Sequence, residues 1–193
     1  MTIQMTCIEL HEHVKRSVQH IIPSGYEQGF RHLLESGGCE GFLRDLLAMA
    51  LTASGHALIR EGPLVHGSAD LVLVHENVYI ETKQLHLKDG TRWITNVLHD
   101  LRRHGLRGSV GIVYLLDERS SRTVMHFERY RGANRRADCN IDRMIDGLKA
   151  SFPFVYPDDE RDALLRGFPG DGSLDLYAFA VSLAVMTNTE GPL

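Results

Sequence analysis

Asp70, Glu81 and Lys83 put two carboxylates and an ammonium at the ends of two short apolar runs. Asp70 opens Leu71-Val72-Leu73-Val74, and Glu81 and Lys83 close Val78-Tyr79-Ile80, with His75-Glu76-Asn77 as a break between them. The pattern predicts a β-hairpin. Strand alternation puts Glu81 and Lys83 on one face. A turn of about two or three residues around Glu76 would set Asp70 across from Thr82 or Lys83, within one pairing step of Glu81. Charge buried beside an apolar sheet is costly, and a divalent cation held by the carboxylates offsets that cost. Carboxylate oxygens, a backbone carbonyl and waters suit Mg²⁺ or Mn²⁺. A metal so held polarises a phosphodiester and acidifies a bound water, while a nearby lysine orients or deprotonates that water and offsets the developing charge. The chemistry these residue types allow is metal-dependent phosphodiester hydrolysis. The chain carries seventeen arginines and only four lysines, so a lysine at position 83 runs against its habit and suits a role that a guanidinium fills poorly.

The elements that must position these groups follow from periodicity. A helix is predicted over residues 7–22, stopped by Pro23-Ser24-Gly25, and a shorter one over Tyr26 to Glu35, stopped by Gly37-Gly38. From Glu40, the run Phe42, Leu43, Leu46, Leu47, Met49, Ala50 and Leu51 has the width of a core-facing helix that ends near Ser54-Gly55. Strands are predicted over His56–Arg60, Ala69–Val74 and Val78–Thr82, a helix over Thr91–His104, and over Ser109–Leu116 a strand buried on both faces. Further helices are predicted over Cys139–Ser151 and Leu174–Met186. The expected class is α/β, a mixed central sheet flanked by helices with an αβββαβ core and helices at both ends. At 193 residues one domain is expected: a helical extension over 1–38, the core over 39–117, and a basic loop with a helical part over 118–193.

Asp70, ten residues and then Glu81-Thr82-Lys83 resembles the Asp…(Asp/Glu)-x-Lys signature of the PD-(D/E)XK, or restriction-endonuclease-like, nuclease superfamily. Glu40, on the helix before the hairpin, resembles the additional acidic ligand of many members, and the resemblance spans about Glu40 to Leu116. It implies metal ligation by Asp70, Glu81, the Thr82 carbonyl and Glu40, with Lys83 as the catalytic lysine. It also implies Mg²⁺ or Mn²⁺ as cofactor and products ending in 5′-phosphate and 3′-hydroxyl. The proline of the family name is Ala69 here.

The rest of the sequence narrows the partners. A net charge of −4 argues against coating nucleic acid by bulk electrostatics. Its distribution is uneven: eleven arginines against six acidic residues from Arg92 to Arg143, then seven acidic residues against two arginines from Pro157 onward. Within the basic middle, Arg129, Arg131, Arg135 and Arg136 around Tyr130 resemble a phosphate-tracking loop with a stacking aromatic. Nucleic acid is the expected partner, DNA ahead of RNA, in defence, restriction or an antibacterial effector, with a homodimer or protein partner open. The alternatives are an RNase on the same fold, a non-catalytic subunit that keeps it, or a surface ion-pair cluster at a sheet edge. No membrane span and no secretory signal are evident, so a cytoplasmic location is expected. Cys7, Cys39 and Cys139 lack zinc-finger spacing. His11/His13 and His99/His104 lack ligand spacing and are expected on solvated surface, and His66 is a loop histidine on the approach to Asp70.

Overall fold

The computed structural model describes residues 3–21, 32–33, 39–64, 67–87, 94–103, 109–117, 141–158, 163–168 and 174–183. Helix α1 (Ile3–Ile21) is followed by α2 (Cys39–Ala53) and the strands β1 (Leu58–Leu64), β2 (Gly67–Leu73) and β3 (Val78–His86). Helix α3 (Ile94–Arg103) leads to β4 (Ser109–Asp117), then α4 (Ile141–Ser151), β5 (Phe154–Tyr156), β6 (Leu165–Phe168) and β7 (Leu174–Ser182). Among the described residues, seven strands form one sheet in the order β1-β2-β3-β4-β7-β5, with β6 also paired to β7. Strands β3 and β4 run parallel, joined through α3, and every other neighbouring pair is antiparallel. The class is α/β with a mixed sheet.

Strand alternation divides the core in two. Ile80, Val110, Ile112, Tyr114, Leu176, Ala178 and Ala180 point to one face and pack with Leu10, Val14 and Val18 of α1 and Leu43, Leu47 and Leu51 of α2. Leu85, Val113, Leu115, Tyr177, Phe179 and Val181 point to the other, against Val97 and Leu101 of α3 and Met144, Ile145 and Leu148 of α4. All nine residues of β4 are buried, as a strand covered on both faces requires. Helix α1 packs against β7, and its His11 is buried there with Nε2 3.1 Å from the Ala178 carbonyl oxygen. That corrects the expectation of a solvated His11. Its neighbour His13 faces elsewhere, with its ring centroid 5.8 Å from that of His56.

The predicted helix over Leu174–Met186 is instead the strand β7. From Leu176 to Val181 the apolar residues are continuous, so periodicity alone cannot separate buried helix from buried strand. Burial decides it, because Leu176, Ala178 and Ala180 serve one core and Tyr177, Phe179 and Val181 the other. The predicted helix over Tyr26–Glu35 lies outside the described residues except for His32 and Leu33, which are helical. Among the described residues, no helix is long and apolar enough to cross a membrane.

Gly111 sets the seat of α3. It pairs with Glu81 across the parallel ladder, and a Cβ there would lie 2.8 Å from Val181 Cγ2 and 3.0 Å from Leu101 Cδ1. We predict that Gly111→Ala destabilises by about 1–3 kcal/mol through overpacking. Gly41, in α2 with open space around it, gives the opposite sign: Gly41→Ala stabilises by about 0.5–1 kcal/mol. Chemical denaturation of both variants measures the contrast, and equal midpoints would contradict it.

Candidate active site

The site begins where β2 and β3 part. Their ladder pairs Leu73 with Val78, Val72 with Tyr79 and Leu71 with Ile80, and extends no further. The turn therefore takes four residues, 74–77, with Asn77 at a φ of 52°, a left-handed conformation that asparagine tolerates. This longer turn shifts the expected register, and continuing the ladder sets Asp70 level with Glu81 rather than with Thr82 or Lys83. Beyond the split, β3 presents backbone N–H groups that β2 does not meet. Side-chain carboxylates meet them instead. Thr82 N donates to Asp70 Oδ2 at 2.8 Å, as does Thr82 Oγ1 at 2.8 Å, and Gln84 N donates to Glu40 Oε2 at 3.1 Å. Strand geometry turns a residue's carbonyl to the same side as its N–H, so the Thr82 carbonyl faces the same notch.

Lys83 lies amid three carboxylates. Its Nζ is 3.1 Å from Glu81 Oε1, 3.5 Å from Glu40 Oε1 and 3.4 Å from Asp100 Oδ2. Glu81 comes from the same strand, Glu40 from the first turn of α2, and Asp100 from α3, on the face of the sheet opposite α2. Asp70 Oδ1 faces Arg44 at 3.5 Å, and Arg44 also lies 3.5 Å from Asp45 and 3.9 Å from Glu61. Beside Lys83 opens a cleft of about 420 Å³, lined by Glu40, Lys83, Leu85, Asn96, Val97, His99 and Asp100.

Glu81 is buried, whereas Asp70, Lys83 and Asp100 are only partly covered and Glu40 is more open, so the group lies at the margin of the core. Burial, and next the charge of Asp70, push the Glu81 carboxyl up to about 7 despite the opposing pull of Lys83. For Lys83, burial disfavours the ammonium, but Glu40, Glu81 and Asp100 together outweigh it and hold the group above the usual lysine range. As the site stands, Lys83 is a cation throughout the neutral range.

The predicted residues Asp70, Glu81, Thr82, Lys83 and Glu40 are thus brought together. The arginines Arg129, Arg131, Arg135 and Arg136, and also His66, lie outside the described residues. Two members of the constellation were missed by sequence reasoning. Arg44 follows Glu40 by four residues, the spacing that puts two side chains on one helix face, and that signal was available. Asp100 is flanked by His99 and Leu101 in α3, and only the seating of that helix against β3 brings it to Lys83. The chain matches no protein-family model, no curated protein and no solved structure.

Whether the donors suit a metal is a question of their number and setting. Among the described residues, no three acidic, histidine or cysteine side chains stand grouped as a metal cage. Mg²⁺ does not require one, since it commonly keeps several waters and takes one or two carboxylates. Asp70 and Glu81 supply two hard oxygen donors, and the burial and the Asp70 charge that raise Glu81 are what a bound cation would offset. The donor set fits a Mg²⁺-type ion.

Burial of Glu81 also predicts a pH dependence. The folded protein retains a proton that the unfolded chain loses above the ordinary glutamate range, so metal-free stability falls as pH rises from about 4.5 to about 7. The full penalty, on the order of 3 kcal/mol, is reached only above that window. In EDTA, Glu81→Gln should melt above the parent at pH 8 and match it near pH 5. Parallel melting curves across this range would contradict the assignment.

Proposed function

We propose that this chain is a Mg²⁺- or Mn²⁺-dependent nuclease of the PD-(D/E)XK type that hydrolyses phosphodiester bonds, in DNA ahead of RNA. The observation that carries the reading is the junction of Asp70, Glu81 and Lys83 where β2 and β3 part, with Glu40 reaching in from α2. The order α2-β1-β2-β3-α3-β4 agrees with the αβββαβ core that the resemblance implies.

Asp70, Glu81 and the Thr82 carbonyl would hold the ion, with Glu40 as a direct or outer ligand. Bound there, the ion would supply Lewis acidity to a phosphodiester oxygen and to a water. Lys83, held as an ammonium, orients that water and stabilises negative charge developing on the phosphoryl oxygens, so charge stabilisation rather than proton acceptance is its part. Arg44 offsets the charge of Asp70 and keeps it turned toward Thr82. Placement of Arg129, Arg131, Arg135 and Arg136 on substrate phosphates belongs to the same proposal. So do a role in defence, restriction or as an antibacterial effector, and a homodimer or protein partner.

A second reading is favoured by one observation: each acidic group of the site already faces a cation or an N–H donor. On that reading the cluster only closes the notch, and the chain is a binding subunit without catalysis. Plasmid, single-stranded DNA and tRNA incubated with Mg²⁺, Mn²⁺ or Ca²⁺ separate the readings. The nuclease reading expects DNA cleavage with the first two ions and none with Ca²⁺, whose looser coordination fails to hold the reacting groups. It expects Lys83→Ala to keep Mn²⁺ binding and lose turnover on the order of a hundredfold, with no rescue in Lys83→Arg. Cleavage of tRNA alone would make the protein an RNase. Parental protein inert on all three substrates, or a fully active Lys83→Ala variant, would contradict the proposal.

A further inference from the structure

Lys83 has three carboxylate neighbours, and under the nuclease reading they do not share one fate. Glu81 and Glu40 belong to the set proposed for the metal, so a bound cation draws their charge away from Lys83. Asp100 does not belong to that set. It stands on α3, which packs on the face of the sheet that Lys83 shares with Leu85, opposite the face that holds α2. Asp70, by contrast, is engaged with Thr82 and with Arg44 of α2. Among its contacts, Asp100 Oδ2 lies 3.4 Å from Lys83 Nζ and Oδ1 lies 3.6 Å from Nδ1 of the exposed His99. Lys83, Asp100 and His99 all line the cleft beside the split, where an entering phosphate would meet them.

We infer that Asp100 is the positioning residue for Lys83: once a metal occupies Asp70 and Glu81, Asp100 holds the ammonium at the cleft wall, pointed at the attacking water and the phosphoryl oxygens. The inference rests on the nuclease reading and adds a residue from outside the hairpin motif. A flexible four-carbon side chain released by both of its other partners would sample many rotamers, and a fixed carboxylate on a packed helix removes that freedom before substrate arrives. Gly111 belongs to the same arrangement, because the close approach of Leu101 that it permits seats α3 near enough for Asp100 to reach β3.

The scarcity of lysine makes a direct test practical, because only Lys15, Lys83, Lys88 and Lys149 give side-chain ammonium signals. In ¹⁵N-labelled protein loaded with Ca²⁺, Lys83 should give a resolved, slowly exchanging ammonium resonance, assigned by its loss in Lys83→Met. Asp100→Asn should lose that protection, and Asp100→Glu should keep it. With Mg²⁺, Asp100→Asn should lower kcat tenfold or more with KM unchanged. In the Lys83→Met background it should cause no further loss, as expected of a residue that acts only through Lys83. Persistence of the Lys83 resonance together with parental kcat in Asp100→Asn would overturn the inference. So would a fall in melting temperature with kcat unchanged, which would make Asp100 a staple between α3 and β3. Parental protein whose spectrum ignores Ca²⁺ and which cleaves nothing would bring down the nuclease reading, and this inference with it. Parental protein that responds and cleaves, beside an indifferent Asp100→Asn variant, would bring down this inference alone.

Discussion

A backbone N–H on a covered strand must find an acceptor or cost the protein on the order of 1–3 kcal/mol. At the point where β2 leaves β3, Thr82 and Gln84 lose the strand that would have supplied their acceptors. Asp70 and Glu40 replace it, one carboxylate for each N–H, and this substitution fixes where the acids of the site stand. The same bonds tie α2 and β2 to the edge of β3, so sheet integrity and site geometry share one set of contacts. Opening the strands also leaves a notch at the end of the hairpin, and the Thr82 carbonyl faces into it.

Charge follows from that placement. Glu81 lies too deep to be well solvated and is repelled by the fixed charge of Asp70, and Lys83 compensates only in part. The protein adds cations at both margins, Arg44 beside Asp70 and Lys83 among Glu40, Glu81 and Asp100. A fold under no functional demand could replace such a group with apolar residues at little cost or even a gain. Glu81 is one of the few charged groups buried in this largely apolar core, and under the proposed reading a cation bound beside it would offset its charge.

The hairpin and its three charged residues are legible in the sequence because the signals are local. Apolar runs of strand length, a polar break, and Asp70 and Glu81-Thr82-Lys83 at the outer ends need no knowledge of the rest of the chain. Helices α2 and α3 are legible for the same reason, through apolar spacing and glycine stops. Strand β7 is not, since its run Leu176–Val181 is apolar on both faces and its identity depends on lying between β4 on one side and β5 and β6 on the other. The register at Asp70 is not legible either, because one residue more in the turn moves every partner by a step. Asp100 is the extreme case. Nothing within α3 distinguishes it from an ordinary polar helix residue, and its meaning arises only where α3 crosses β3.

Calorimetric titration of Mn²⁺ into the parental protein and into the Asp70→Asn/Glu81→Gln double variant, both shown to be folded, tests the central claim most directly. The account predicts saturable binding to the parent, abolished in the double variant, whose removed charges are the ones the ion is said to compensate. Absence of binding to the parent, or the same isotherm for both proteins, would contradict it and leave the notch as a salt-bridged seam of the sheet.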